Sequence, residues 1–266
     1  MNTLILAWQD PASRQWFPIG RLQADGDNYT FSYTRGALRA QREAGFEPLV
    51  SFPELGTTYI AGHLFPLFSN RLLPSSRQEY RNYLAWLGVG DTERDPVTIL
   101  ARSGGRKATD TLELFPFPER NERGEYAIHF LVDGLNHVPD GNVERAMLLE
   151  PGELLLAMRD FQNPKDPEAV ALRTAEKFDK DLYIVGYCPR YLRSEILRLI
   201  DAGSLPKITV ERVKRAPAPV QFRLLCKAAM KWPSGFQPFN EPDFQPLASA
   251  DVTLAGISLP PRYYRS

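Results

Sequence analysis

Residues 154–200 carry the pattern that most constrains the fold of this chain. Three apolar runs rich in Leu, Val and Ile alternate with turn-forming clusters, and a helical pattern follows them. Short apolar runs bounded by turn residues predict β-strands. Pro189 suits the start of the helix and Gly203 its end. Four apolar residues share one face of that helix: Leu192, Ile196, Leu199 and Ile200. The stretch predicts a small strand meander closed by a helix.

The turn after the first run, QNPKDPE, is predicted to be rigid with polar tips. Asn163 and Asp166 each precede a proline. Proline fixes the bend, and Asn and Asp side chains bond nearby backbone amides. This local role and contact with a ligand are both open for the two side chains.

The step from the third strand to the helix is a common place for a phosphate. Arg190 and Arg193 stand in the first helical turn after Gly186. Free backbone amides and the helix dipole favour an anion there, although plain solvation of both arginines is equally open. Tyr187 and Tyr191 flank this step as either stacking or core aromatics.

Charge is segregated along the chain. The net charge is zero and the pI about 6.9, so nothing global indicates nucleic acid or an anionic membrane. Residues 187–231, however, hold ten basic and three acidic residues, a net charge of plus seven. This segment forms either a basic binding face or a solvated surface.

Residues of about 125–222 resemble the HIRAN family. The motifs are FLVDGLNHV, RDFQNPKDPEAVAL and IVGYCPRYL, in that order. The resemblance implies a modified OB-like barrel with two helices that binds DNA, in eukaryotic members the free 3′ end of a single strand. Candidate nucleic-acid-binding residues are Asn136, His137, Asn163, Lys165, Asp166, Tyr187, Arg190, Arg193 and Phe222.

The chain departs from the family pattern at three of these positions. Asn136 and His137 stand where the family has Arg and Tyr, and Lys165 replaces the aromatic residue of the turn. Stacking of bases on aromatic rings supplies much of the affinity of such sites, so two missing rings remove ~2 kcal/mol or more unless others replace them.

The N-terminal part is predicted to open with an antiparallel sheet. LILAW, WFPIGRL and YTFSY alternate apolar and polar residues, a helix over 34–45 ends at Gly45, and PLVSFPEL is extended. Ser76 and Glu79 form a capping-box pattern before a helix that Gly88 ends.

Residues of about 3–90 resemble the N-terminal subdomain of HipA-type toxin kinases. The residues that carry this are Gly20 to Leu22, YTFSY, PLVSFPEL and LFPLFSNRLLPSSRQEYRNYLAWLGV. The kinase core is missing, so no phosphoryl transfer is expected. The resemblance implies a surface for a HipA-type kinase or a helix-turn-helix antitoxin partner.

The sequence therefore predicts an α+β, mostly β protein. Its predicted parts are a HipA N-terminal-like domain (1–90), a linker (91–124) with one short strand VTILA, an OB-like HIRAN barrel (125–230) and an extended tail (231–266) rich in Pro and aromatic residues. The tail is expected to bury four aromatic residues: Trp232, Phe236, Phe239 and Phe244.

Catalytic and metal-binding patterns are absent from the sequence. Cys188 and Cys226 give neither a disulfide framework nor a zinc site, and a reducing cytoplasm fits them. His129 lies in a strand pattern and is predicted to be a core or cross-strand residue. No signal peptide or membrane helix is indicated. We expect no enzyme activity, metal or cofactor.

Two functions remain open from sequence. The first is binding of DNA by the HIRAN-like domain, coupled to a HipA-like partner-binding domain in a toxin-antitoxin or defence setting. The second is an antitoxin-like interaction subunit that neutralises a HipA-type kinase and does not bind DNA. The intact turn and the local charge of plus seven favour the first. The neutral overall charge and the missing aromatics favour the second.

Overall fold

The computed structural model describes residues 2–90, 94–118, 120, 124–164, 166, 168–175, 182–204, 206–231, 233–247 and 251–254. The chain divides into two compact units that alternate along the sequence. The first consists of Met1–Leu72, Gly105–Leu114 and Asn240–Ser266, and the second of Leu73–Gly104 and Phe115–Phe239.

The regular elements follow in chain order. The strands are β1 (Asn2–Gln9), β2 (Trp16–Asp25), β3 (Asn28–Tyr33), β4 (Thr57–Ala61), β5 (Leu112–Pro116), β6 (Glu125–Leu131), β7 (Leu154–Arg159), β8 (Val170–Thr174), β9 (Ile184–Tyr187), β10 (Lys207–Val213), β11 (Leu224–Lys231) and β12 (Asp251–Leu254). The α-helices are α1 (Arg35–Ala44), α2 (Pro66–Ser69), α3 (Tyr80–Leu87), α4 (Pro96–Ser103), α5 (Asp140–Met147) and α6 (Arg190–Asp201). Short 3-10 helices cover Leu135–His137, Val220–Phe222 and Pro242–Phe244. Within the described residues, no helix is both long and apolar enough to cross a membrane.

The first unit is built on a sheet with the strand order β12-β4-β3-β2-β1-β5. The antiparallel meander β1-β2-β3 confirms the prediction for the start of the chain, and α1 ends at Gly45 in the left-handed conformation as expected. The predicted extended segment PLVSFPEL holds no strand, and the next strand is β4. Pro48 and Pro53 lack backbone N–H donors, which disfavours ladder pairing there.

Aromatic side chains fill the core of the first unit. The rings of Phe31 and Phe52 stack with centroids 4.1 Å apart, and both residues are fully buried. Tyr59 and Phe65 contact the Phe52 ring at 5.0 and 5.1 Å. Such pairs add to the stabilisation that comes from burying their area.

The second unit is built on an antiparallel sheet with the strand order β6-β11-β10-β7-β8-β9. Asp133, just after β6, pairs with Tyr187 at the end of β9: Asp133 N donates to Tyr187 O at 3.0 Å, and Tyr187 N donates to Asp133 O at 2.8 Å. These bonds join the two edges of the sheet, so it curls into a barrel. The mostly β, antiparallel and OB-like fold class is thus confirmed.

The meander and helix of residues 154–203 are also confirmed. β7, β8 and β9 are sequential antiparallel neighbours, and α6 begins after Pro189. Leu192, Ile196 and Leu199 are fully buried in the core, whereas Ile200 is partly buried against it.

Three local predictions were wrong. VTILA lies in α4, where Asp95 Oδ1 accepts hydrogen bonds from Val97 N and Thr98 N at 3.0 Å and Pro96 occupies the first turn. Ser76 does not cap α3, which begins at Tyr80. The apolar pattern of VQFRLLC also predicts a strand over its whole length, whereas the structure has a 3-10 turn over Val220–Phe222 followed by the start of β11. These differences leave the barrel unchanged.

The predicted burial of tail aromatics differs between residues. Phe239 is fully buried, with Phe115 and Phe117 at centroid distances of 5.5 and 5.8 Å. Phe236 and Phe244 are only partly buried, and Trp232 lies outside the described residues.

Candidate nucleic-acid interface

The turn between β7 and β8 is held by its own aspartates. Asp160 Oδ1 accepts a hydrogen bond from Gln162 N at 3.2 Å, and Asp166 Oδ1 accepts one from Glu168 N at 3.1 Å. Aspartates that bond the backbone two residues later stabilise turns in this way. The rigid turn was predicted, but Asp160 performs the role that the sequence suggested for Asn163.

Tyr187 connects this turn to the end of β9. Its hydroxyl donates to Asp160 Oδ2 at 3.1 Å, and its side chain also shares a hydrogen bond with that of Asn163. Burial raises the pKa of Tyr187, and Asp160 raises it further, while Asn163 acts in the opposite direction. Tyr187 therefore stays a neutral phenol that can donate a hydrogen bond.

Two glycines allow the chain after β6 to approach Tyr187 closely. Gly134 has φ of 71°, and a Cβ there would lie 3.0 Å from Tyr187 Cδ2. Gly186 has φ of 134°, and a Cβ there would lie 2.7 Å from Asp133 O. Only glycine tolerates both the conformation and the contact. The approach puts the 3-10 helix that carries Asn136 and His137, both exposed, next to β9.

The first turn of α6 faces Asp166. The Asp166 carboxylate pairs with Arg193 and lies 3.6 Å from Arg190 Nε, and Glu168 lies 3.0 Å from Arg193. The Asp166 side chain is only 12% exposed, against 38% for Arg190. The chain thus supplies its own anion where the sequence suggested a phosphate. An incoming phosphate would share these arginines with Asp166.

The other candidates have different surroundings. Phe222 packs against the rings of Tyr83 and Trp86 at 6.0 and 6.4 Å, and its 3-10 segment contacts Leu135–His137. Tyr191 stacks on Phe115 at 4.5 Å, which favours its interpretation as a packing residue. Lys165 lies outside the described residues.

The structure therefore brings together three sequence segments at one end of the barrel. We call this group the end site: Asn136, His137, Asp160, Asn163, Asp166, Tyr187, Arg190 and Arg193. Sequence reasoning missed Asp160, although its position at the end of a strand and before a turn is a recognisable pattern. It also missed Phe161, whose side chain is 77% exposed in the same turn.

The histidine and cysteine side chains show no grouping suited to metal chemistry. His129 Nε2 lies 3.1 Å from Glu211 across the sheet, as a cross-strand residue would. Cys188 and Cys226 are buried free thiols, and burial raises the pKa of both. A cluster of three or more potential metal ligands does not occur in the part of the chain that the structure describes.

Comparisons with known proteins bear on part of the chain. The family model described as HIRAN domain matches residues 119–229, which confirms that part of the sequence prediction. A protein of Lactobacillus plantarum of known structure is 22% identical over 40% of this chain and 97% of its own, with a TM-score of 0.31. The HIRAN domain of human HLTF is 16% identical over 41% of this chain and 81% of its own, with a TM-score of 0.30. No curated protein matches the chain.

Proposed function

We propose that the HIRAN-like domain of this chain binds single-stranded DNA and holds the 3′ end of the strand in the end site. The observation that carries the proposal is the meeting of residues 133–137, 160–164, 166 and 187–193 around Tyr187. The match to the HIRAN family supports the same conclusion, because DNA binding is what the resemblance to that family implies.

The end site offers groups suited to a strand terminus. Asn163 and the Tyr187 hydroxyl are polar groups for a terminal sugar hydroxyl, whereas Arg190 at the start of α6 favours a phosphate. Asp166 would act as a positioning residue, since it holds Arg190 and Arg193 against the turn. Asn136 and His137 are exposed donors beside them. We propose binding without catalysis.

Fluorescence anisotropy with labelled 12-nucleotide DNA tests this function. We expect the protein to bind a strand with a free 3′ hydroxyl more tightly than the same strand with a 3′ phosphate, at two salt concentrations. In Asp166→Ala, that preference should disappear while salt-dependent binding remains, because the arginines lose their positioning partner but keep their charge. Absence of binding to any strand would refute the proposal.

The finer proposal couples this domain to a toxin-antitoxin or defence setting through the HipA N-terminal-like segment. It rests on the motifs of residues 3–90 and implies a HipA-type kinase or a helix-turn-helix antitoxin as partner. Co-purification with a HipA-type kinase, with kinase activity as the readout, tests it. Inhibition of the kinase without any DNA binding would favour the alternative of an antitoxin-like interaction subunit.

A further inference from the structure

The outward side of β7 is apolar where an exposed sheet surface is normally polar. Leu155 faces the core, whereas the side chains of Leu154, Leu156 and Met158 are 45%, 43% and 41% exposed. We call these three residues the β7 face. β7 pairs with β10 and β8, so the exposed feature is a surface of the sheet and not an edge. A solvated face of an antiparallel sheet carries polar residues, so this one is suited to a ligand.

Basic side chains flank the β7 face. Leu156 is directly opposite Arg173 in β8, and the register of β7 with β10 places Lys207 on its other side. Directly opposite residues project from the same side of an antiparallel sheet. Within the described residues, neither cation has a carboxylate partner. Beyond Leu154, an open depression of about 570 Å³ is lined by two cations, Lys207 and Arg212, and one carboxylate, Glu211, among others. The surroundings suit a polyanion.

The β7 face is continuous with the end site. Met158 is opposite Ala171, and Ala171 is opposite Tyr187, so the three share one row on the outer side, in which the small Ala171 side chain is itself buried. Tyr187 reaches from that row to Asp160, the residue after β7. The exposed ring of Phe161 follows in the same turn. A strand held at the end site would meet Phe161 and Met158 next.

We propose that single-stranded DNA continues from the end site along the β7 face, with bases against Phe161, Met158 and Leu156 and phosphates near Arg173 and Lys207. This inference rests on the proposed function. Apolar side chains between cations match a strand whose apolar base faces alternate with phosphates. From Leu154 to Met158 the strand spans roughly 13 Å, which accommodates about four stacked nucleotides. The exposed Phe161 ring substitutes for the family's missing stacking residues.

The test compares variants of the β7 face by anisotropy in the full chain. We expect Phe161→Ala to weaken binding of a 12-nucleotide strand about tenfold. Arg173→Gln should reduce the slope of log affinity against log salt by about one. The double variant Leu156→Ser with Met158→Ser should also bind more weakly. All of them should keep the preference for a 3′ hydroxyl. Affinity of the unchanged protein should rise with strand length up to about six nucleotides and then level off.

Leu148→Ser and Lys214→Gln are matched controls. Leu148 is 63% exposed in the same unit and belongs to the end of α5, not to β7, and Lys214 is a partly exposed cation just after β10. Both should bind like the unchanged protein. If the unchanged protein binds DNA and the β7-face variants bind it equally well, the proposed path along the β7 face is refuted, whereas the end site stands. If no strand binds, both proposals fail. A change of sedimentation mass in the Leu156→Ser and Met158→Ser variant would assign the face to a second copy and overturn the inference.

Discussion

The two units contain similar sheets but differ in where they place apolar side chains. In the first unit, large aromatic residues lie in the core, and the exposed large apolar residues in its described part are Leu38 and Val50. The described part of the second unit exposes more of them: Leu148, Leu154, Leu156, Met158, Phe161, Leu182 and Tyr183. Four of these seven lie on β7 or in the turn after it. The first sheet therefore uses its apolar residues for its own stability. In the path that we propose for DNA, the second keeps part of them for the bound strand.

Substitution in the aromatic core should give the largest effect. Phe52 is fully buried with rings at 4.1, 5.0 and 5.1 Å, so Phe52→Ala should lower the free energy of unfolding of the first unit by about 3–5 kcal/mol. Leu156→Ala, at a site 43% exposed, should stay within about 0.5 kcal/mol. Hydrogen exchange followed by mass spectrometry measures the stability of each unit separately. Equal protection of β3 and β4 in Phe52→Ala and the unchanged protein would contradict the comparison.

Among the residues that shape the end site, Gly186 should be the one whose substitution lowers the stability of the second unit most. Gly186→Ala puts a Cβ 2.4 Å from Val132 Cγ1 at φ of 134°, which should cost about 2–4 kcal/mol and open the Asp133 bridge. Gly141→Ala is the control, since a Cβ at this position in the first turn of α5 would have no atom within 4 Å. Chemical unfolding measures both. A Gly186→Ala protein as stable as Gly141→Ala would show that the bridge relaxes easily.

Much of the second unit could be predicted because its patterns are local. Pro189, Gly203 and the apolar spacing between them define α6 without tertiary information. The error at α4 arose because Val97, Thr98 and Ile99 favour strands, whereas the Asp95 and Pro96 cap decided the outcome.

The candidate site was less predictable because its contacts are long-range. Nothing near Asn163 in sequence indicates that its side chain meets Tyr187, since closure of the barrel creates that contact. The exposure of Leu156 could not be predicted from the sequence either. A continuous apolar run such as LLLAM is typical of a strand buried on both sides, and only the sheet order reveals an open face.

Asp166 should contribute less to stability than Gly186 but more than a surface ion pair. Asp166→Asn removes a carboxylate that is only 12% exposed from beside Arg190 and Arg193, and Arg193 keeps its pair with Glu168, so we expect a loss of about 1–2 kcal/mol. Asp201→Asn is the control: its pair with Arg159 has side chains 65% and 40% exposed and should contribute at most about 0.5 kcal/mol. Thermal unfolding of both variants measures the difference. Equal losses would mean that the Asp166 pairs are as solvated as a surface pair.

His129 should give the smallest effect, seen as a dependence of stability on pH. Burial and then Arg102 lower the pKa of His129, with Lys227 adding to them, while Glu211 opposes this at 3.1 Å. Because the pKa is lower in the folded state than the ordinary value near 6.5, the unfolded chain binds more protons in mild acid. The contribution of neutral His129 to the stability of the fold is therefore present above about pH 6.5, and it is lost as pH falls through the pKa of the folded state.

His129→Gln should therefore flatten the stability of the second unit between neutral pH and pH 5, measured by urea unfolding across that range. His63→Gln, a change in the first unit, is the control and should leave the slope unchanged. If stability instead rose on acidification, the pairing with Glu211 would outweigh burial and Arg102.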